Sequence, residues 1–246
     1  MYRERYESRG RPPEARRNLQ DLLRLTLAAV EIAGTRREAM DAVADSIQAP
    51  GSLATYRHDV YETTVVYEFG QLARQDFESH GNVAVWERPL TWTRPGGTYA
   101  SSGHIDISLF NSRRQVETRI EFGKAEPRPR ARPPRDEKLE SDALKLHDAR
   151  NDFASRRADA DAPRGYASEN YVVLWDLRDS RKTKSTARPT KKAFDSWFDR
   201  CSAHARAASG RLGFDVVLET AAASDMMSFK ADVRRGAYAA IFQVLP

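Results

Sequence analysis

Cysteine is almost absent. The 246-residue chain carries one, Cys201. It can form no internal disulfide and no cysteine-based zinc cluster. Long apolar runs are absent too, since none approaches the roughly 20 residues that span a bilayer. The opening stretch, "MYRERYESRGRPPEARR", is charged and has no apolar core before a cleavage site. No signal peptide is expected, and the cytoplasm is the expected location. No glycine-rich phosphate loop is present. The only Gly-Gly pair, Gly96 and Gly97, falls between predicted strands rather than before a helix. His58, His80, His104, His147 and His204 lack metal-ligand spacing, and Ser101 and Ser102 carry no nucleophile signature. The sequence shows no internal repeat.

What is present is a globular composition with a basic bias. Hydrophobic residues make up 40% and aromatics 9%, enough for a real core. We expect an N-terminal tail and helical extension over 1–52, followed by one domain over 53–246. The formal charge is +5 and the pI about 9.4. Basic residues concentrate in the N-terminal stretch, in "EPRPRARPPR" (126–135) and in "LRDSRKTKSTARPTKK" (177–192). These segments are poor in apolar residues and read as tails and loops. Basic loops suit a phosphate backbone. Arg128, Arg130, Arg132, Arg135, Lys182 and Lys184 are therefore the candidate DNA contacts, against the plainer account of solvated surface arginines.

Periodicity gives the order of elements. Leu19, Leu22, Leu23, Leu27 and Val30 mark a helix from Ala15 to Ala33, which Gly34 should end. Thr35 should cap a second helix through Ile47. A third is expected over Tyr56–Ser79. "VAVWERPLTW" (83–92) reads as a strand, with Pro89 placing it at an edge. "HIDISLF" (104–110) and "VETRIEF" (116–122) alternate as a hairpin, with Ile105, Ile107 and Leu109 on one face. A helix follows over 136–158, then "YVVLWDL" (171–177), a strand covered on both sides. A helix over 190–208 and strands at 212–220 and 238–245 complete the chain. The later strands join through helices, which favours parallel pairing. The fold class is α/β, a mixed sheet flanked by helices. Cys201 is expected to be a buried small apolar residue, and Trp86, Trp92, Trp175 and Trp197 to pack in the core or on strand faces rather than serve as base-stacking platforms.

The hairpin carries charge where a half-buried sheet should not. Asp106 and Glu121 can approach one another near one end of it. Two close carboxylates repel and raise a pKa unless a cation lies between them. Mg²⁺ accepts one or two carboxylates together with water and phosphate oxygens. A nearby lysine can hold water or developing negative charge. Together these parts suit phosphodiester hydrolysis.

Asp106 in an apolar-Asp-apolar strand, then a turn and "IEFGK", within an α-β-β-β-α-β-α-β order, resembles the PD-(D/E)XK nuclease superfamily. The likeness covers about Tyr56 to Thr220. It implies a restriction-endonuclease-like αβββαβ core with an N-terminal helical extension. It implies that Asp106 and Glu121 hold Mg²⁺, with Mn²⁺ as a substitute, that the Phe122 carbonyl is an extra ligand, and that Lys124 is the catalytic lysine. Many members add an acid from the preceding helix, here Glu68 or Glu62. The family pattern sets the lysine two residues after the acid, whereas Gly123 occupies that position here. A β-bulge at Gly123 would bring Lys124 round. Otherwise Lys138 or Lys145 fills the role, or the domain is inactive. The expected activity is a Mg²⁺-dependent DNA endonuclease of a restriction, defence, transposition or repair system. The alternative is a catalytically inactive nuclease-fold module that binds DNA or a protein partner. The apolar stripe of the first helices could serve a homodimer or a partner of a multi-subunit system.

Overall fold

The computed structural model describes residues 5–6, 13–46, 60–78, 82–93, 100–111, 113, 115–125, 136–155, 167–179, 190–224 and 235–245. The expected nucleic-acid contacts Arg128, Arg130, Arg132, Arg135, Lys182 and Lys184 lie outside these residues.

Seven strands form one mixed sheet: β1 (Arg5–Tyr6), β2 (Asn82–Thr93), β3 (Ala100–Asn111), β4 (Val116–Lys124), β5 (Ala167–Asp179), β6 (Val216–Ala223) and β7 (Arg235–Val244). Their spatial order is β1-β6-β7-β5-β4-β3-β2. The helices are α1 (Pro13–Ser46), α2 (Glu62–Glu78), α3 (Glu137–Ser155) and α4 (Lys191–Leu212). β2, β3 and β4 form an antiparallel meander, and β5 pairs with β4 in parallel after the α3 crossover. Pro89 sits in β2, a strand at the sheet edge, where a missing N–H is tolerated. β7 inserts between β5 and β6 and runs antiparallel to both, so the expectation of parallel pairing holds for β4–β5 and fails for β7.

Strand alternation divides the core into two layers. Ile107, Ile120, Phe122, Val173 and Trp175 face α1 and α2, where Leu23, Leu27, Val65 and Phe69 meet them. Phe69 and Phe122 are in ring contact, with centroids 4.9 Å apart. Val172, Leu174, Leu218 and Phe242 face α3 and α4, against Leu139, Leu146, Phe194 and Trp197. Cys201 is buried there, and burial pushes its thiol pKa up. α4 starts at Thr190, whose Oγ1 accepts from the Ala193 N–H at 3.1 Å.

Four expectations are corrected. Gly34 does not end a helix, and α1 runs through it. Gly34 is buried, and the Thr35 hydroxyl donates to the Glu31 carbonyl at 2.9 Å. That is a mid-helix bond rather than a cap. The apolar stripe of α1, from Leu19 to Ala33, packs on this chain's own sheet. α4 also extends to Leu212, so β6 begins at Val216. Lastly, Ile105 does not share a face with Ile107. Ile105 packs in the α3–α4 layer and Ile107 in the α1–α2 layer. β2 is kinked opposite this stretch: Glu87 has φ 47, and the β2–β3 ladder skips the Glu87–Asp106 pair while keeping one register from Trp86↔Ile107 to Arg88↔Ile105. No helix among the described residues is long and apolar enough to cross a membrane.

Candidate active site

β3 and β4 pair from Asn111↔Val116 to Ile107↔Ile120, and the ladder stops there although both strands continue. Asp106 and Glu121 sit just past that point. Asp106 fills part of the gap, its Oδ2 accepting the Phe122 N–H at 2.7 Å. In an extended strand the N–H and C=O of one residue point to the same side, so the Phe122 carbonyl faces the gap too.

Glu121 is 1% exposed. Lys145 of α3 reaches its Oε1 at 2.6 Å. Beside it, Lys138 of α3 pairs with Asp142 Oδ2 at 3.1 Å and donates to Glu62 Oε1 of α2 at 2.9 Å. Two helices and two strands therefore bring four carboxylates and two lysines together. Burial pushes the Glu121 carboxyl up to about 8, and the charges of Asp106 and then Asp142 add to this against the pull of Lys145. Asp142 is pushed up to about 7, first by burial and against the pull of Lys138 and Lys145. Asp106 is raised by burial, although the Phe122 N–H, Lys138 and Lys145 oppose it. Burial alone would lower Lys138, but Asp142 and Glu62 outweigh it and hold the ammonium protonated.

The expected bulge at Gly123 is absent. β4 and β5 pair one to one from Val116↔Ala167 through Gly123↔Leu174 to Lys124↔Trp175. Strand alternation thus turns Lys124 away from Glu121. Its charge acts on Asp176 of β5. The space above Gly123 belongs to Lys138: a Cβ at 123 would stand 2.6 Å from the Lys138 Cγ. Lys138 and Lys145 supply from the helix the positive charge expected from the strand.

The helix acid also differs. Glu68 is buried and pairs with Arg36 of α1 at 2.5 Å. Of the two α2 candidates, Glu62 is the one that lines a cavity with Asp106, which Glu87 of β2 lines as well. Asp142 was not singled out in the sequence. Its signal is a charged stripe, Lys138, Asp142 and Lys145, running beside the apolar stripe Leu139, Ala143 and Leu146.

Among the described residues no three His, Cys, Asp or Glu side chains form a ready metal cage. Mg²⁺ does not need one. Two carboxylates suffice when water and substrate oxygens complete its shell. The residues present fit that demand, because burial raises the pKa of both Asp106 and Glu121 and the charge of Asp106 raises Glu121 further. No family model, curated protein or solved structure matches the chain.

Proposed function

We propose that this chain is a Mg²⁺-dependent endonuclease that hydrolyses phosphodiester bonds in DNA, within a restriction, defence, transposition or repair system. One observation carries the reading. Asp106 and Glu121 follow the last β3–β4 pair on their strands, and burial together with the charge of Asp106 drives the Glu121 carboxyl to a pKa of about 8 although Lys145 pairs with it. Sites tuned by burial and like charge are where catalytic groups cluster. The meander, the α3 crossover and the parallel β4–β5 pair follow the element order of the restriction-endonuclease-like core.

Asp106, Glu121 and the Phe122 carbonyl would hold Mg²⁺ or Mn²⁺. The cation supplies charge that polarises the phosphate and lowers the pKa of bound water. Lys145 fixes the Glu121 carboxylate. Lys138 remains protonated and stabilises negative charge developing on the phosphate. Asp142, with a pKa of about 7, suits proton transfer at neutral pH.

β4 and β5 run parallel and both end on the side of the sheet where Asp106 and Glu121 lie, and in the sequence each is followed by a basic segment, 126–135 and 180–189, which supports the reading. Their arginines and lysines are the proposed DNA contacts. A homodimer or a partner protein would supply a second site for cutting both strands of a duplex.

Purified protein incubated with DNA and Mg²⁺, beside Asp106→Ala and an EDTA control, tests the reading. Metal-dependent cleavage lost in the variant is the expected result. Equal cleavage by both proteins would sink the site. The second reading, an inactive module that binds DNA or a protein, draws on Lys124 turning away from the acids. Tight DNA binding without cleavage under any divalent cation would favour it.

A further inference from the structure

Next to Asp106 lies a cavity of about 420 Å³ that the hydrolytic reading leaves unused. It runs along α2 from the acids. Glu62, Glu87 and Asp106 bring carboxylates to it, and Tyr67, Gln71, Arg74 and Trp86 are among its other walls. Its size falls within the roughly 300–1,000 Å³ of small-ligand pockets.

Two aromatic side chains define its character. Tyr67 is 51% exposed, although large apolar surface usually turns inward. Trp86 is held by close approach to α2. A Cβ on Gly70 would overlap the indole, standing 1.7 Å from its Nε1, so only glycine admits the ring there. Glu87, with φ 47, follows Trp86 directly and stands opposite Asp106 in the β2–β3 register. One glycine thus seats an aromatic wall beside the acid site. Gln71 and Arg74 add groups that can hydrogen-bond a base edge.

We propose that this cavity takes an unpaired nucleobase of the strand being cut, next to the phosphate held at Asp106. A base stacked within a duplex cannot enter a recess in the protein wall. A base splayed from a fork, bulge or single strand can, and it gains stacking on Tyr67 and Trp86. The preferred substrate is therefore nucleic acid with unpaired nucleotides at the cut. The proposal rests on reading the acid cluster as the phosphate site.

The test is binding in EDTA, with three labelled DNA probes of one sequence: a blunt duplex, a forked duplex and a single strand. Cleavage in Mg²⁺ is followed separately. The wild type should bind fork and single strand more tightly than blunt duplex, with tryptophan fluorescence quenched. Tyr67→Ala should weaken fork binding by about 5- to 100-fold, the worth of one stacked base, and leave blunt-duplex binding unchanged. Tyr67→Phe should restore it. Tyr67 is exposed, so circular dichroism should show an unaltered fold. Equal binding of fork and blunt duplex, no binding of any probe, or a Tyr67→Ala effect equal on all three overturns the proposal. Fork preference lost in Tyr67→Ala, with no cleavage in Mg²⁺, keeps the base pocket and retires the nuclease reading. Cleavage indifferent to Tyr67 and to unpaired bases does the reverse.

Discussion

Hairpin β3–β4 buries two charge clusters on one sheet face, and they are built on opposite principles. At Glu117 the carboxylate is surrounded by donors. Ser108 Oγ donates at 3.1 Å, Arg119 Nη2 at 3.1 Å, and Arg88 pairs with it as well. Burial lowers Arg88 and Arg119 to about 10, which leaves both cationic at neutral pH. On the same strand and face, Glu121 has one lysine, while Asp106 and Asp142 push against it. The first cluster has more positive charge than its acid needs. The second has more acid than its lysines balance. Buried charges of opposite sign lock a sheet together, whereas buried charges of one sign create a demand that something else must meet.

The sharpest way to break this comparison is to remove each acid in turn. Asp106→Asn and Glu121→Gln should each reduce Mg²⁺-dependent cleavage by at least about 10³-fold, the upper range for losing one preorganised charge group. Lys124→Ala should change it little. A gel assay of plasmid cleavage reads all three. An equal loss in Lys124→Ala would return that lysine to the chemistry.

Glu117→Ala should leave two buried arginines without their acid. Breaking a buried pair in this way costs about 3–5 kcal/mol. At this chain length a kcal/mol is worth about 2–4 °C, so Tm should fall by roughly 6–20 °C. Calorimetry should show no comparable loss for Glu121→Gln. If Glu117→Ala were thermally neutral, the cluster would not be a lock.

This contrast explains what was legible in the sequence. Asp106, Glu121 and their strands were visible because alternation with period two marks a hairpin, and carboxylates inside it stand out. Lys138, Asp142 and Glu62 were harder to assign. Their partners lie on other elements, and only the packing of α2 and α3 over the gap brings them together. The bulge expected at Gly123 does not form, since β4 pairs one to one with β5 through that residue, and Lys138 fills the space a side chain there would take. Gly34 misled for a similar reason. Glycine marks helix ends, but at a buried position it also fits the middle of a packed helix. The kink at Glu87 had no sequence signal, since it places a non-glycine residue at positive φ.

A pH series sharpens the same contrast. Glu121 and Asp142 bind protons more tightly in the folded chain than in the unfolded one. The stability tied to them is complete below the ordinary carboxylate range and is lost as pH rises through about 7 and 8. Without divalent cation, Tm should therefore drop by several degrees between pH 5 and pH 8, about 2–4 °C for each kcal/mol lost. Glu121→Gln should flatten much of that slope. Mg²⁺ should raise Tm more at pH 8 than at pH 6, because protons and cation compete for the same carboxylates. A slope unchanged by Glu121→Gln would place the titrating group elsewhere.

The smallest effect is the most specific. Lys138 reaches the acids across the space that a side chain at 123 would fill, so the two positions are alternatives for one ammonium group. Lys138→Ala should lower cleavage by about 10²-fold, the cost of one preorganised charge. It also vacates the space over Gly123. Adding Gly123→Lys in that background sets a lysine two residues after Glu121 on the same face of β4. The double variant should recover about tenfold of the lost activity, although Gly123→Lys alone, crowded by Lys138, should lose both stability and rate. Rescue in the double variant but not in either single one would show that the ammonium at this point matters and the element carrying it does not. Additive losses would mean that Lys138 acts through Asp142 and Glu62, holding the two helices over the gap rather than serving the phosphate.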